Sequence, residues 1–116
     1  MIRPTLVALA ALSAVLVVAP PAQADHSNCA YPNVCLWDVR TDPDRKYQYR
    51  DFGRQNLLHR NVVDHVFNIR NNDSVLLWDV DTNRATCVAP GERVDLATRG
   101  WHNRADQIEI RDQATC

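Results

Sequence analysis

The sequence predicts an all-β domain built from two similar units and stapled by disulfides, and three observations carry the prediction. Val34-Cys35-Leu36-Trp37-Asp38-Val39 returns as Val75-Leu76-Leu77-Trp78-Asp79-Val80 at an offset of 41, and Asn61-Val62-Val63-Asp64-His65-Val66 returns as Asn103-Arg104-Ala105-Asp106-Gln107-Ile108 at an offset of 42. A period of that size marks a supersecondary unit copied in tandem. Short alternating runs of β-branched and aromatic residues recur between polar turns, and no segment after residue 24 sustains helical periodicity. Four cysteines, Cys29, Cys35, Cys87 and Cys116, lie in the same part of the chain, and an even number in a small exported domain reads as a disulfide framework.

The first 24 residues are set aside because they have the anatomy of an export signal. Arg3 supplies the positive charge, Leu6 to Ala19 the apolar run, and Ala22-Gln23-Ala24 a small-residue cleavage site after Pro20-Pro21. The mature chain is expected to start at Asp25 as one domain over residues 25–116, with units over about 33–69 and 74–111. In the first unit, Val34 to Val39 alternates strong strand formers, the polar TDPDRK forms a turn, and Lys46 to Arg50 and His65 to Ile69 follow as strands. Arg70-Asn71-Asn72-Asp73-Ser74 has linker chemistry. The second unit repeats the order with strands at Val75 to Val80, Arg84 to Val88, Arg93 to Leu96 and Gln107 to Arg111. Asp44 and Asn83 are the turn residues best able to take a left-handed conformation without glycine. Trp37 and Trp78, at equivalent repeat positions, are expected to share a packing role, whereas Trp101 beside Gly100 is free to stand exposed.

Charge narrows the function classes. Residues 25–116 carry 12 basic and 14 acidic residues, so the basic footprint of a nucleic-acid binder or a polybasic membrane clinger is missing. The apolar run near the start is shorter than the roughly 20 residues a spanning helix needs, and the expected product is a secreted, extracellular monomer that binds neither nucleic acid nor membrane. An enzyme is not expected: no G-x-S-x-G, H-E-x-x-H or phosphate-loop pattern occurs, and His26, His59, His65 and His102 lack zinc-site spacing. The cysteines allow three pairings. The favoured one joins Cys29 to Cys35 around the short CAYPNVC loop and Cys87 to Cys116, tying the tail to the body, and spacing alone leaves the others open.

The repeated CLWDV and LLWDV, each followed by a turn with arginine, together with TCVAPGERV and the closing N-x-x-D-x-[VI], resemble the βγ-crystallin double Greek key. More closely, over about Cys29 to Ile110, they resemble the secreted actinobacterial metalloprotease-inhibitor family with that fold. The resemblance implies a sandwich of two Greek keys and inhibition of an extracellular protease, a metalloprotease above all, by a substrate-like segment. Matched residue by residue, the inhibitory bond is Cys87-Val88, with Val88 filling an apolar pocket beyond the scissile bond and the Cys87 bridge and Pro90 holding the segment rigid. Two departures stand out. Pro43-Asp44-Arg45 and Thr82-Asn83-Arg84 occupy the places of the family's Gly-Gly-Arg turns, and Cys116, 29 positions on, replaces a bridge closed just after the bond.

The alternative is a βγ-crystallin-type binding or structural module without inhibitory activity. No cofactor is expected apart from calcium, whose loops in that family match Arg60-Asn61-Val62-Val63-Asp64-His65 and His102-Asn103-Arg104-Ala105-Asp106-Gln107. Asn61, Asp64, Asn103 and Asp106 would then be ligands of an ion that takes six to eight oxygens. Each loop starts with a basic residue, which opposes a divalent ion, and turn bonds to the backbone are the competing role for these side chains.

Overall fold

Polar hairpin turns and alternating apolar positions resolve, in a computed structural model of the chain, into two antiparallel sheets. The structure describes residues 26–116, and the signal segment expected over residues 1–24 lies outside them. The first unit provides β1 (Val34–Asp38), β2 (Arg45–Tyr49), β3 (Gly53–Asn56) and β4 (His65–Asn68). The second provides β5 (Ser74–Asp79), β6 (Arg84–Val88), β7 (Arg93–Asp95) and β8 (Gln107–Arg111). One four-stranded sheet has the order β2-β1-β4-β7 and the other β3-β8-β5-β6. Each unit keeps three strands together and lends its third to the other sheet.

Alternation along the strands builds the core between the sheets. Val34 and Leu36 of β1, Val66 of β4 and Val94 of β7 meet Val75 and Leu77 of β5, Val88 of β6 and Ile108 and Ile110 of β8 in one cluster closed by Leu57, Leu96 and Trp101. β1 is buried at all five positions, because its other face is covered as well. Cys35 and Trp37 point away from the sandwich and pack with Cys29, Phe67 and Ile69 in a second, smaller cluster. Cys29 is bonded to Cys35 and Cys87 to Cys116, with Cα separations of 5.9 and 5.7 Å. This is the pairing the sequence favours, and bridges of this kind are typical of extracellular proteins.

Several local expectations change. β3, Gly-Arg-Gln-Asn, has no apolar alternation and is a strand by virtue of its pairing with β8, Gly53 opposite Ile110 and Asn56 opposite Gln107. The strand expected to reach Leu96 stops at Asp95, whose side chain accepts a hydrogen bond from Ala97 N and caps a 3-10 turn over Leu96–Arg99. Asn83 is left-handed, with φ 52°, but Asp44 is not; the left-handed non-glycine residues are Asn61, Asn83 and Asn103 among those described. Asp44 follows a cis Asp42-Pro43 bond and takes a hydrogen bond of 2.6 Å from His26 Nε2. Trp101 is in the core instead of exposed. The two repeat tryptophans are covered differently: Trp37 lies in the smaller cluster, while half-buried Trp78 has the Arg54 guanidinium 4.1 Å over its ring and donates to Glu109 at 3.0 Å.

Candidate functional site

Three places bear on function, and the first is the Cys87-Val88 bond. It lies in β6, at an edge of its sheet. Thr86, Cys87 and Val88 pair with Leu77, Leu76 and Val75. Val88 is 0% exposed, because its side chain is one of those filling the sandwich. Its carbonyl accepts from Asn68 Nδ2 at 3.2 Å, and the Cys87 carbonyl accepts from Arg99 Nη1 at 2.6 Å. The segment is extended and hydrogen-bonded along β5. The Val88 side chain, which the resemblance assigns to a partner's pocket, is packed in this protein's own core.

The second place is the pair of loops before β4 and β8. Left-handed Asn61 and Asn103, with φ 59° and 54°, turn the chain so that Asp64 and Asp106 enter the interior, 2% and 1% exposed. Their main chains bind in the same manner: Asp64 N donates to Trp37 O and Asp106 N to Trp78 O. Each acid meets a base from the other unit, His102 Nδ1 at 2.5 Å from Asp64 Oδ1 and Arg60 Nε at 3.6 Å from Asp106 Oδ1. The basic residue that opens each loop thus crosses to the other unit's carboxylate.

Asp38 and Asp79 complete these two clusters. Arg40 donates from Nε and Nη2 to the two oxygens of Asp38 at 3.0 and 3.1 Å, and this pairing holds the Asp38 carboxyl below its ordinary value despite burial. In the second unit Asp81 takes the place of Arg40, so Asp79, Asp81 and Asp106 have oxygens within 4.8 Å of one another. Arg104 answers Asp79 at 3.1 Å. Burial alone would raise the Asp79 carboxyl, but hydrogen bonds from Thr82 and Arg104 outweigh it and the net direction is down. Burial dominates at Asp64 and raises its carboxyl, partly offset by His102 and His65. The oxygens Asp64 Oδ1 and Oδ2, Asn103 Oδ1 and Asp106 Oδ1 are buried without a hydrogen-bond donor in ordinary geometry. Of the four residues matched to calcium ligands, Asn61 and Asn103 chiefly shape turns, and Asp64 and Asp106 stand in separate clusters, one facing the His102 ring and the other the Arg60 guanidinium.

The third place is the ring closed by Cys29 and Cys35. Both sulfurs are buried, but Tyr31 between them is 63% exposed. Asn33 N donates to Ala30 O at 2.9 Å, so Tyr31 and Pro32 form the tip of a turn. Sequence reasoning saw in this loop only a bridge. The signal was an aromatic residue set between two cysteines six positions apart, and its exposure required the packing around it. Asp38, Asp79 and Asp81 were likewise missed, since only the fold brings the hairpin ends beside the later loops.

Comparison with known proteins assigns no relative: no family model matches the chain, and no curated protein or solved structure is significantly similar to it.

Proposed function

We propose that this chain is a secreted inhibitor of an extracellular endopeptidase, a metalloprotease first among the targets, built on a βγ-crystallin-type pair of Greek keys. The fold reading is supported by the strand orders β2-β1-β4-β7 and β3-β8-β5-β6, in which two repeated units exchange third strands across one core. Inhibition is supported chiefly by one observation: a ring closed by the Cys29–Cys35 bridge raises an exposed aromatic side chain from a buried base. A rigid projecting segment loses little freedom on binding, which is what separates an inhibitor from a flexible substrate. Secretion is supported by the two bridges and by the export signal read in the sequence.

The calcium reading is weaker on the same geometry. The Asp79, Asp81 and Asp106 oxygens are close enough to share an ion, but Arg104 and Arg60 already stand beside them. A divalent ion there would have to displace at least one arginine.

The test is a titration of the chain, secreted by a bacterial host and collected with its bridges formed, against a thermolysin-like metalloprotease and a subtilisin-like serine protease. Near-stoichiometric loss of metalloprotease activity is expected. Full activity of both enzymes with the inhibitor in excess overturns the reading and leaves a binding or structural module.

A further inference from the structure

We propose that the surface this chain presents to a protease is the Cys29–Cys35 ring, with the Tyr31 side chain entering an apolar specificity pocket of the enzyme and Phe52 packing at its rim. The inference rests on the inhibitor reading above and relocates its contact site from Cys87-Val88.

Exposure decides between the two sites. Val88 is 0% exposed, whereas Tyr31 and Phe52 are 63% and 57% exposed. An aromatic side chain that can be fully desolvated by a partner pocket is the residue type that dominates interface energetics. Phe52 and Pro32, the residue that follows Tyr31, are also held by the same buried group. Arg70, 7% exposed, donates from Nη1 to the carbonyl of Pro32 at 2.8 Å and to that of Arg50 at 3.1 Å. Its guanidinium lies 4.8 Å from the Phe52 ring centre, and its Nε is held by Asp73 at 2.7 Å. One guanidinium therefore ties the tip of the ring to the β2–β3 turn.

The base of the ring is equally fixed. Cys29 and Cys35 pack on Trp37, Phe67 and Ile69, Asn33 Nδ2 donates to Gln48 Oε1 at 3.1 Å, and Lys46 Nζ donates to Asn28 O at 2.9 Å. A tip held this way binds at a reduced ordering cost, chiefly that of fixing the Tyr31 side chain. It also resists cleavage. Pro32 has no N–H to pair with the enzyme's substrate-binding strand, and the Ala30 carbonyl is engaged by Asn33 N, so the ring sits in the cleft as a folded turn and not as the extended peptide that a protease cuts.

The experiment compares the full secreted chain with Tyr31→Ala, Tyr31→Phe, Phe52→Ala and the control Leu58→Ala, an apolar residue 75% exposed in the segment between β3 and β4. Inhibition constants are read against the metalloprotease of the preceding titration. Tyr31→Ala is expected to weaken inhibition by about tenfold or more and Phe52→Ala by less, while Tyr31→Phe stays within about threefold and Leu58→Ala matches the parent. A Tyr31→Ala chain with unchanged melting and unchanged inhibition overturns the ring as the site and leaves the inhibitor reading standing, whereas a parent chain that inhibits neither enzyme overturns both. A second measurement does not depend on any variant: nitration of Tyr31 should be suppressed in the complex, and equal nitration in the free and bound protein also overturns the proposal.

Discussion

Asp38 and Asp79 occupy the same place in the two units, yet their counter-charges come from different distances along the chain. Asp38 is served by Arg40, two residues on, and Asp79 by Arg104, reached only because the fold brings the later loop beside the hairpin. The first pairing is local in the chain, whereas the second exists only in the fold. The pH dependence follows from the same contacts. Arg40 holds the Asp38 carboxyl below its ordinary 3.8, so the stability it contributes is complete above that value and is lost as pH falls through the lower folded value. Asp38→Asn should therefore be less stable than the parent by about 1 kcal/mol near neutral pH, a modest figure because the guanidinium is largely exposed. The gap should close as acidification passes the ordinary carboxylate value and then the lower folded one. Urea midpoints near neutral pH and in acid check this, and a gap that stays constant into acid would show that Asp38 acts by shape and not by charge.

At the scale of strands, what was legible depended on whether a segment buries a side chain on one face. β1, β5 and β8 carry alternating Val, Leu and Ile, and their places follow from that pattern. β3 has only Gly53, Arg54, Gln55 and Asn56, because it is a sheet edge whose neighbouring Leu57 does the burying. Polar residues on such an edge discourage pairing with another chain, and the same polarity hides the strand from a pattern search. Its counterpart β7, also an edge, keeps Val94 against the core and was legible for that reason. The candidate site divides in the same way: the cysteines mark the Cys29–Cys35 ring, but the exposure of Tyr31 and the burial of Val88 depend on which strand face meets the other sheet. The Cys87–Cys116 bridge has its own measurable consequence. It pins the tail beside edge strand β6 and closes a loop 29 residues long, so replacing both cysteines by alanine should lower unfolding stability by about 2–5 kcal/mol. Chemical denaturation of the double variant tests it, and a loss below about 1 kcal/mol would mean that the tail is already held by other contacts, such as the bond from Ser74 N to Gln113 O.

For the molecule as a whole, the repeat showed that there are two units but not how they share strands. Period-two patterns state which face of a strand is buried and are silent on its neighbour, so two independent four-stranded units and two sheets with exchanged third strands are equally consistent with the sequence. The exchange has an energetic consequence. β3 has its partner in β8, and β7 has its partner in β4, while the core cluster draws on both units at once. Neither unit alone can close a sheet or bury its inner face, and the crossed pairs His102–Asp64 and Arg60–Asp106 are lost as well if the halves separate. The chain should therefore unfold in a single transition with superimposable curves from far-UV circular dichroism and tryptophan fluorescence. Trp37 in the smaller cluster and Trp101 in the main core report from different places. Fragments 26–70 and 71–116, prepared separately, should each lack a cooperative transition and gain one on mixing. A fragment that melts cooperatively by itself would show that the third-strand exchange contributes little, because a unit can then hold together without the strand it borrows.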